Sequence, residues 1–278
     1  MIVDAHQHFW DPARGDYGWL KPDNPLHRVF SPSDLRPLMQ EVGVDATILV
    51  QAAPTPAETD YMLGIARDTP WILGVVGWID LAAANVADEV RRRARDPLFV
   101  GVRPMLQDLD DPSWILQPSL APALETVAAA GLVFDALILS HQIQAVIEVA
   151  RRHPQLPIVL DHAAKPHLGE AMAQWLSEMA QLAVLPNVSC KVSGLLTELR
   201  PGGGKADVVR AIDVVFDLFG PRRLLWGSDW PVLTLAGGYK DWFDLAHETI
   251  VGRDSSAIAA VMGGNALRIY RPRRHIPA

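Results

Sequence analysis

Cysteine is nearly missing from this chain: Cys190 is the only one among 278 residues. No internal disulfide can form, and a reducing cytoplasm is the expected compartment. No stretch approaches the roughly 18 uninterrupted apolar residues of a membrane helix. The first residues carry Asp4, His6 and His8 instead of a basic leader, so no secretory signal is expected. Positive charge is short as well: 25 Lys and Arg stand against 32 Asp and Glu, a net charge of −7. Phosphate backbones demand a basic face, so neither nucleic acid nor membrane is an expected partner. The one dense basic cluster, Arg91, Arg92, Arg93 and Arg95, reads as the solvated face of a helix. Arg271, Arg273 and Arg274 read as a frayed tail. There is no Gly-x-Ser-x-Gly elbow, which argues against a serine esterase. Gly202-Gly203-Gly204-Lys205 lacks the phosphate-loop pattern and reads as a flexible loop.

What remains is an ordinary globular composition, 49% hydrophobic and 21% charged. Short β-rich runs alternate with longer helical stretches, the pattern of a parallel sheet. Strands are predicted over 2–8, 46–51, 72–78, 99–103, 132–135, 158–162, 188–193 and 224–229. Helices are predicted over 32–42, 57–67, 86–94, 121–130, 143–152, 171–182, 206–219, 241–250 and 256–270. Eight such units without a dividing linker predict an α/β fold, a single (β/α)₈ TIM barrel spanning 1–278 as one domain. Its active site would lie at the C-terminal ends of the strands.

Strand parity sharpens the picture, because alternate side chains face the lumen and the helices. In the first strand Val3 and Ala5 alternate with Asp4, His6 and His8. In the seventh, Val188, Cys190 and Val192 alternate with Ser189, Lys191 and Ser193. The apolar sets are expected to face the helices. The same parity points Gln51, Arg103, Asp135, His162 and Asp229 inward near their strand ends, where barrel enzymes place chemistry.

His6-Gln7-His8 is the strongest local signal. Two imidazoles two residues apart on a strand share one face, with Cα atoms roughly 6.6 Å apart. They could converge on one divalent ion or jointly polarise a carbonyl. His162 closes an apolar strand in Asp161-His162-Ala163-Ala164-Lys165-Pro166, with His167 beyond it expected at the surface. Asp229 closes the eighth strand in Trp226-Gly227-Ser228-Asp229-Trp230-Pro231, where the proline delays any helix that an aspartate would cap. A carboxylate among histidines suits a metal ligand or a general base for water. Arg103 could grip a substrate oxygen or pair internally with Asp135 or Asp4. Lys191 is open in the same way, between a buried pair with Asp4 and catalysis. Cys190 reads as a small core residue. The excursions 9–31 and 104–119 carry Trp10, Trp19, Met105 and Trp114. With Trp78 these offer flat apolar and hydrogen-bonding surface for a ring.

With those residues in place, the chain resembles the lactonase-like branch of the amidohydrolase superfamily. The similar segments run nearly end to end: VDAHQHFWDP, YGWL, VQAAPTPAETDYM, GVVGWIDL, GVRPMLQD, LDHAAKP, NVSCKVSGL, LLWGSDWPV and GGNALRIY. The resemblance implies a barrel hydrolase acting on a cyclic ester. It carries the family's paired histidines onto His6 and His8, its sixth-strand histidine onto His162 and its eighth-strand aspartate onto Asp229. Two-metal members have a carbamylated lysine on the fourth strand and a histidine on the fifth. Arg103 and Asp135 stand there instead, so at most one divalent ion, Zn²⁺ or none, is expected.

The resulting expectation is a hydrolase opening a small sugar-acid lactone of the fucono- or rhamnono-lactone type. His6 and His8 polarise the carbonyl, through one ion also held by Asp229 or directly, and Asp229 takes the proton from attacking water. His162 joins the metal or steadies the oxyanion. Arg103, Gln51, Asp135, Ser193 and the tryptophans meet the substrate. Imidazoles with a reference pKa near 6.5 imply activity that falls below neutral pH. The rival readings are a non-oxidative decarboxylase of a small aromatic or muconate-type acid on the same barrel, and a sugar-binding barrel without catalysis. A monomer or homodimer is expected.

Overall fold

The structure, a computed structural model, describes residues 1–274. Residues 275–278 of the expected domain lie outside the described residues. Eight parallel strands follow one another in chain order in one sheet. They are β1 (Val3–Gln7), β2 (Ala46–Val50), β3 (Ile72–Gly77), β4 (Phe99–Val102), β5 (Val133–Ala136), β6 (Ile158–Leu160), β7 (Val188–Val192) and β8 (Leu224–Trp226). The ring is closed past the end of β8, not along it. Gln7 bridges Trp230 in parallel, His8 N–H donates to Trp230 O (2.8 Å) and Asp229 N–H donates to His6 O (2.8 Å).

Local chemistry explains the helices that alternate with the strands. Helix α1 (Pro32–Val42) starts with proline at N1 behind a Ser31/Asp34 capping box and stops at Gly43 in the left-handed region. Helix α2 (Pro56–Asp68) starts where Thr55 Oγ1 accepts the N–H of Glu58 (3.0 Å). The remaining long helices are α3 (Val86–Arg93), α4 (Ala121–Ala129), α5 (Ile143–Arg152), α6 (Ala173–Ala183), α7 (Lys205–Phe219) and α8 (Tyr239–Arg253). In α5, Ile143, Val146, Ile147 and Ala150 bury one stripe and Arg151 and Arg152 stay outside, the usual amphipathic spacing. Among the described residues no helix is long and apolar enough to cross a membrane.

The helix expected over 256–270 is broken. A 3₁₀ turn (Ser255–Ala257) and a π turn (Ala260–Gly264) precede a short α9 (Asn265–Tyr270). Gly263 lies so close to the first strand's backbone that a Cβ there would come within 2.5 Å of Met1 O. This break brings α9 under the barrel, where Ala266 and Tyr270 pack with Val3, Ala5, Ile48, Val100, Val133, Val159 and Leu225.

That cluster fills the lumen and corrects the expected parity of β1. Val3 and Ala5 face inward, while Asp4 turns outward to accept from Tyr239 OH on α8 (3.0 Å) and Ser228 N–H (2.8 Å). A register shift between Asp4 and Gln7 then returns His6 and His8 to the inside. Two basic residues were also misjudged. Arg93 is buried and binds Asp60 and Glu89 in addition to Pro56 O. Arg274 is no frayed tail, because its guanidinium donates to the carbonyls of Ala66, Thr69 and Ile72.

Candidate active site

Six of the expected strand-end residues, His8, Gln51, Arg103, His162, Ser193 and Asp229, sit just beyond their strands, while His6 and Asp135 lie within β1 and β5. His6 and His8 meet edge to face, ring centroids 4.8 Å apart. His8 donates from Nδ1 to Val50 O (2.7 Å), since a carbonyl can only accept. Its Nε2 therefore carries the lone pair, 3.1 Å from His6 Nε2 and 3.2 Å from Asp229 Oδ1. Asp229 Oδ1 is also 3.6 Å from His6 Nε2 and 3.8 Å from His162 Nε2. Four residues drawn from both ends and the middle of the chain thus converge on one carboxylate oxygen.

Backbone strain holds two of them. After β6 the chain takes four consecutive left-handed residues, His162 to Lys165, and Asp229 is left-handed too. Each costs a non-glycine residue about 1–2 kcal/mol, which surrounding contacts must offset. Trp175 Nε1 anchors the first turn by donating to Ala163 O (2.9 Å), and Ser193 Oγ meets His162 Nδ1 (2.9 Å). Gly194 leaves the room: a Cβ there would stand 2.4 Å from His162 Nδ1.

Below this floor lies a buried ionic layer. Lys191 Nζ contacts Asp135 Oδ2 (2.5 Å), Asp161 Oδ1 (2.9 Å) and His6 Nδ1 (3.1 Å). Tyr270 OH donates to Asp135, and Arg103 Nη1 donates to Asp161 Oδ2 (3.0 Å). Arg103 therefore pairs with Asp161, not with Asp135 or Asp4, and Lys191 pairs with Asp135 and Asp161, not with Asp4. Arg103 also binds Gln51 O, and Gln51 Nε2 returns a bond to Arg103 O (2.8 Å). Burial pushes the Asp135 carboxyl up to about 6. Burial alone would raise Asp161 as well, yet Lys191, His6 and Arg103 hold it well below the usual range.

A cavity of about 200 Å³ opens above the floor. It is lined by His8, Arg103, His162 and Asp229, by the apolar Trp10, Trp19, Met105, Leu137 and Val232, and by the polar Gln107, Asp108 and Lys165. Both tryptophans use their N–H groups elsewhere, Trp10 on Leu26 O (3.2 Å) and Trp19 on Ala52 O (2.8 Å). They offer the cavity apolar rings, not the hydrogen bonds expected of them. His6, Gln51, Asp135 and Ser193 lie beneath or behind the lining. Trp78 is half-buried and packs no cavity wall, while Trp114 closes a separate crevice beside Ile138 and Ala145. Sequence reasoning assigned no role to Gln107, Asp108, Leu137, Lys165 or Asp161. The 104–119 excursion and the Asp161–Pro166 motif were the available signals.

Burial sets the charge states. It pushes His162 down to about 4 and, together with the Lys191 charge, His6 well below its ordinary value. Both rings are neutral near pH 7, so the activity loss expected just below neutral does not come from His162. Burial would raise Asp229, but the imidazoles of His162, His8 and His6 hold it below the usual carboxylate range. The donor set suits a metal. Among the described residues two triads have ligand atoms within 4.8 Å of one another: His6, His8 and Asp229, and His6, Asp161 and His162. Four ligands about 2.0–2.2 Å from zinc stand roughly 3.3 Å apart in a tetrahedron. The first triad with His162 approaches that spacing.

Strand-end histidines and an aspartate at the mouth of an eight-stranded parallel barrel define a barrel of the hydrolase type, with a donor set that could hold a metal ion. The chain belongs to the amidohydrolase family, whose model matches residues 3–271. It is 43% identical over 97% of its length to an L-fucono-1,5-lactonase of Burkholderia ambifaria, covering 95% of that protein. It is 37% identical to a second L-fucono-1,5-lactonase, from Burkholderia multivorans, over 97% and 96% of the two chains. A crystal structure of a B. multivorans amidohydrolase with bound zinc superposes with a TM-score of 0.92 at 36% identity, over 98% of this chain and 99% of that one.

Proposed function

We propose that this protein opens the cyclic ester of a sugar-acid lactone of the fucono- or rhamnono-lactone type. The convergence of three imidazoles on Asp229 Oδ1 carries this reading, because it joins a base to carbonyl-polarising groups at one point. The two relatives named as L-fucono-1,5-lactonases support the substrate class. The rings of Trp10 and Trp19 and the polar groups of Gln107, Asp108 and Lys165, lining one cavity, suit a ring bearing hydroxyls.

Asp229, ionised and placed by its backbone N–H bond to His6 O, accepts a proton from water as the water oxygen bonds to the lactone carbonyl carbon. His162, which lines the cavity, faces the developing oxyanion. When the tetrahedral centre collapses, the ring C–O bond breaks and Asp229 returns the proton to the leaving ring oxygen. Arg103, which also lines the cavity, orients the substrate. One divalent ion, Zn²⁺ by its donor set and by the zinc in the similar structure, would be held by His6, His8 and Asp229 beside His162; it would polarise the carbonyl as a Lewis acid.

The whole chain acts as one barrel domain in this reading, as a monomer or homodimer in a reducing cytoplasm that suits its single buried cysteine. The test is a panel of L-fucono-, L-rhamnono- and other aldonolactones, with aromatic acids assayed for CO₂ release in parallel. Hydrolysis of a sugar-acid lactone without decarboxylation is expected. Release of CO₂ without lactone hydrolysis would overturn the reading.

A further inference from the structure

Lys191 takes no part in the mechanism above, yet its ammonium is wholly buried directly beneath His6. An ammonium has three N–H donors and no acceptor. Here the three have three partners: Asp135 Oδ2, Asp161 Oδ1 and His6 Nδ1, at 2.5, 2.9 and 3.1 Å. The third contact makes His6 Nδ1 an acceptor. A neutral imidazole has only one bare nitrogen, so the His6 proton must then sit on Nε2.

The upper side of the ring agrees. His8 is protonated on Nδ1, because that atom faces Val50 O at 2.7 Å, and it therefore offers a lone pair from Nε2. His6 Nε2 lies 3.1 Å from that lone pair and bonds it only by donating. One longer contact points the other way, Arg103 Nη1 to His6 Nε2 at 3.4 Å. It is the longest of the three hydrogen-bond contacts to the ring, and the same nitrogen donates to Asp161 Oδ2 at the shorter distance of 3.0 Å.

We infer that Lys191 is a positioning residue that fixes His6 as the Nε2–H tautomer, so that its ring donates to His8 and is withheld from a metal ion. The paired histidines are then opposite tautomers, one donor and one acceptor, held from below and from the side. The lock has a built-in release. Asp161 Oδ1 lies 3.3 Å from the same His6 Nδ1. If a cation takes the Nε2 lone pair, the Nε2 proton leaves and Nδ1 gains one, which Asp161 accepts as a hydrogen bond while Lys191 keeps its carboxylates. Lys191 and Asp161 thus select between a donor to His8 and a metal ligand at one ring. This inference stands on hydrogen-bond accounting and does not require the substrate proposed above.

The decisive experiment observes the ring nitrogens of the wild-type protein labelled with ¹⁵N-histidine, stripped with a chelator and then titrated with Zn²⁺. His6→Gln and His8→Gln variants assign the signals. Without metal, His6 should show a protonated Nε2 and His8 a protonated Nδ1. Saturating Zn²⁺ should move the His6 proton to Nδ1 and leave the His8 proton where it is. A His6 ring protonated on Nδ1 in the metal-free protein would overturn the inference. The companion variant is Lys191→Met, read by zinc affinity of the metal-free protein. Affinity should rise at least about tenfold, because a unit positive charge and a competing donor are both removed from beneath the ligand ring. Unchanged or weaker zinc binding by a folded Lys191→Met protein would also overturn it. If that variant does not fold, the wild-type tautomers decide the matter alone.

Discussion

His8 Nε2 and Asp229 Oδ1 stand 3.2 Å apart, although 221 positions separate the two residues in the chain. The contact exists because the barrel closes through the segment after β8, where Asp229 N–H donates to His6 O and Trp230 O accepts from His8 N–H. The hydrogen bonds that close the ring therefore also bring the proposed base, Asp229, against His8.

Replacing Asp229 by Asn keeps that alignment and removes the base. The amide is nearly isosteric, and its N–H₂ can donate to the His8 lone pair. Turnover on the best lactone should fall at least about 10²-fold while far-UV circular dichroism stays unchanged. Near-full activity in Asp229→Asn would show that the carboxylate is structural.

Gly194→Ala should be far more damaging than its size suggests. Gly194 has φ +62°, and an added Cβ would press on His162 Nδ1 at 2.4 Å. Gly131 is the control, with φ +70° and nothing within 4 Å. Gly131→Ala should cost about 1–2 kcal/mol of stability from backbone strain alone and leave kcat/KM intact. Gly194→Ala should show a similar or larger stability loss together with a kcat/KM lowered by about tenfold or more as His162 is displaced. Equal activities in the two variants would mean that His162 does not act at the site.

These residues also show how far the sequence could be read. The eight strands and the convergence of His6, His8, His162 and Asp229 followed from alternation, because side-chain parity is a local property. Asp4 escaped that logic, since the register shift in β1 puts both Ala5 and His6 inside. Asp161 was overlooked for a related reason. Neighbouring residues on a strand cannot share a face, but after Leu160 the chain leaves strand geometry, and Asp161 and His162 both serve the site. The tryptophans mark the limit of residue type as a guide. Trp19 and Trp114 both lie in excursions, and only the packing of those loops turns one into the cavity and the other away.

Metal content should not exceed one equivalent per chain. Among the described residues the two triads capable of holding an ion share His6, so a second ion would be left with Asp161 and His162. Asp161 is already bonded to Lys191 and Arg103, and a further ion would have to displace those cations. Elemental analysis after dialysis into Zn²⁺ followed by buffer should give one equivalent or less, and two tightly held equivalents would refute the shared-ligand argument.

The pH profile follows from the directions of the buried groups. His162 is pushed from 6.5 down to about 4, so its ring stays neutral through the range in which an exposed histidine would titrate. Asp229 is lowered and stays ionised over the same range. With respect to these two groups, kcat/KM should be level from pH 8 to about 5 and fall only as pH approaches 4. Stability has its own pH dependence. The depressed His162 contributes stability that is fully present above 6.5 and is lost as pH falls toward 4, because the unfolded chain binds that proton first. Asp4 and Asp135 act in the opposite sense. Each is raised from 3.8 to about 6, so each favours the folded state increasingly as pH falls through that window. Initial rates between pH 4 and 8, corrected for spontaneous lactone opening and paired with circular dichroism at each pH, test the profile. An acid limb near 6.5 in a folded protein would place the proton on His162 and contradict its burial as the controlling influence.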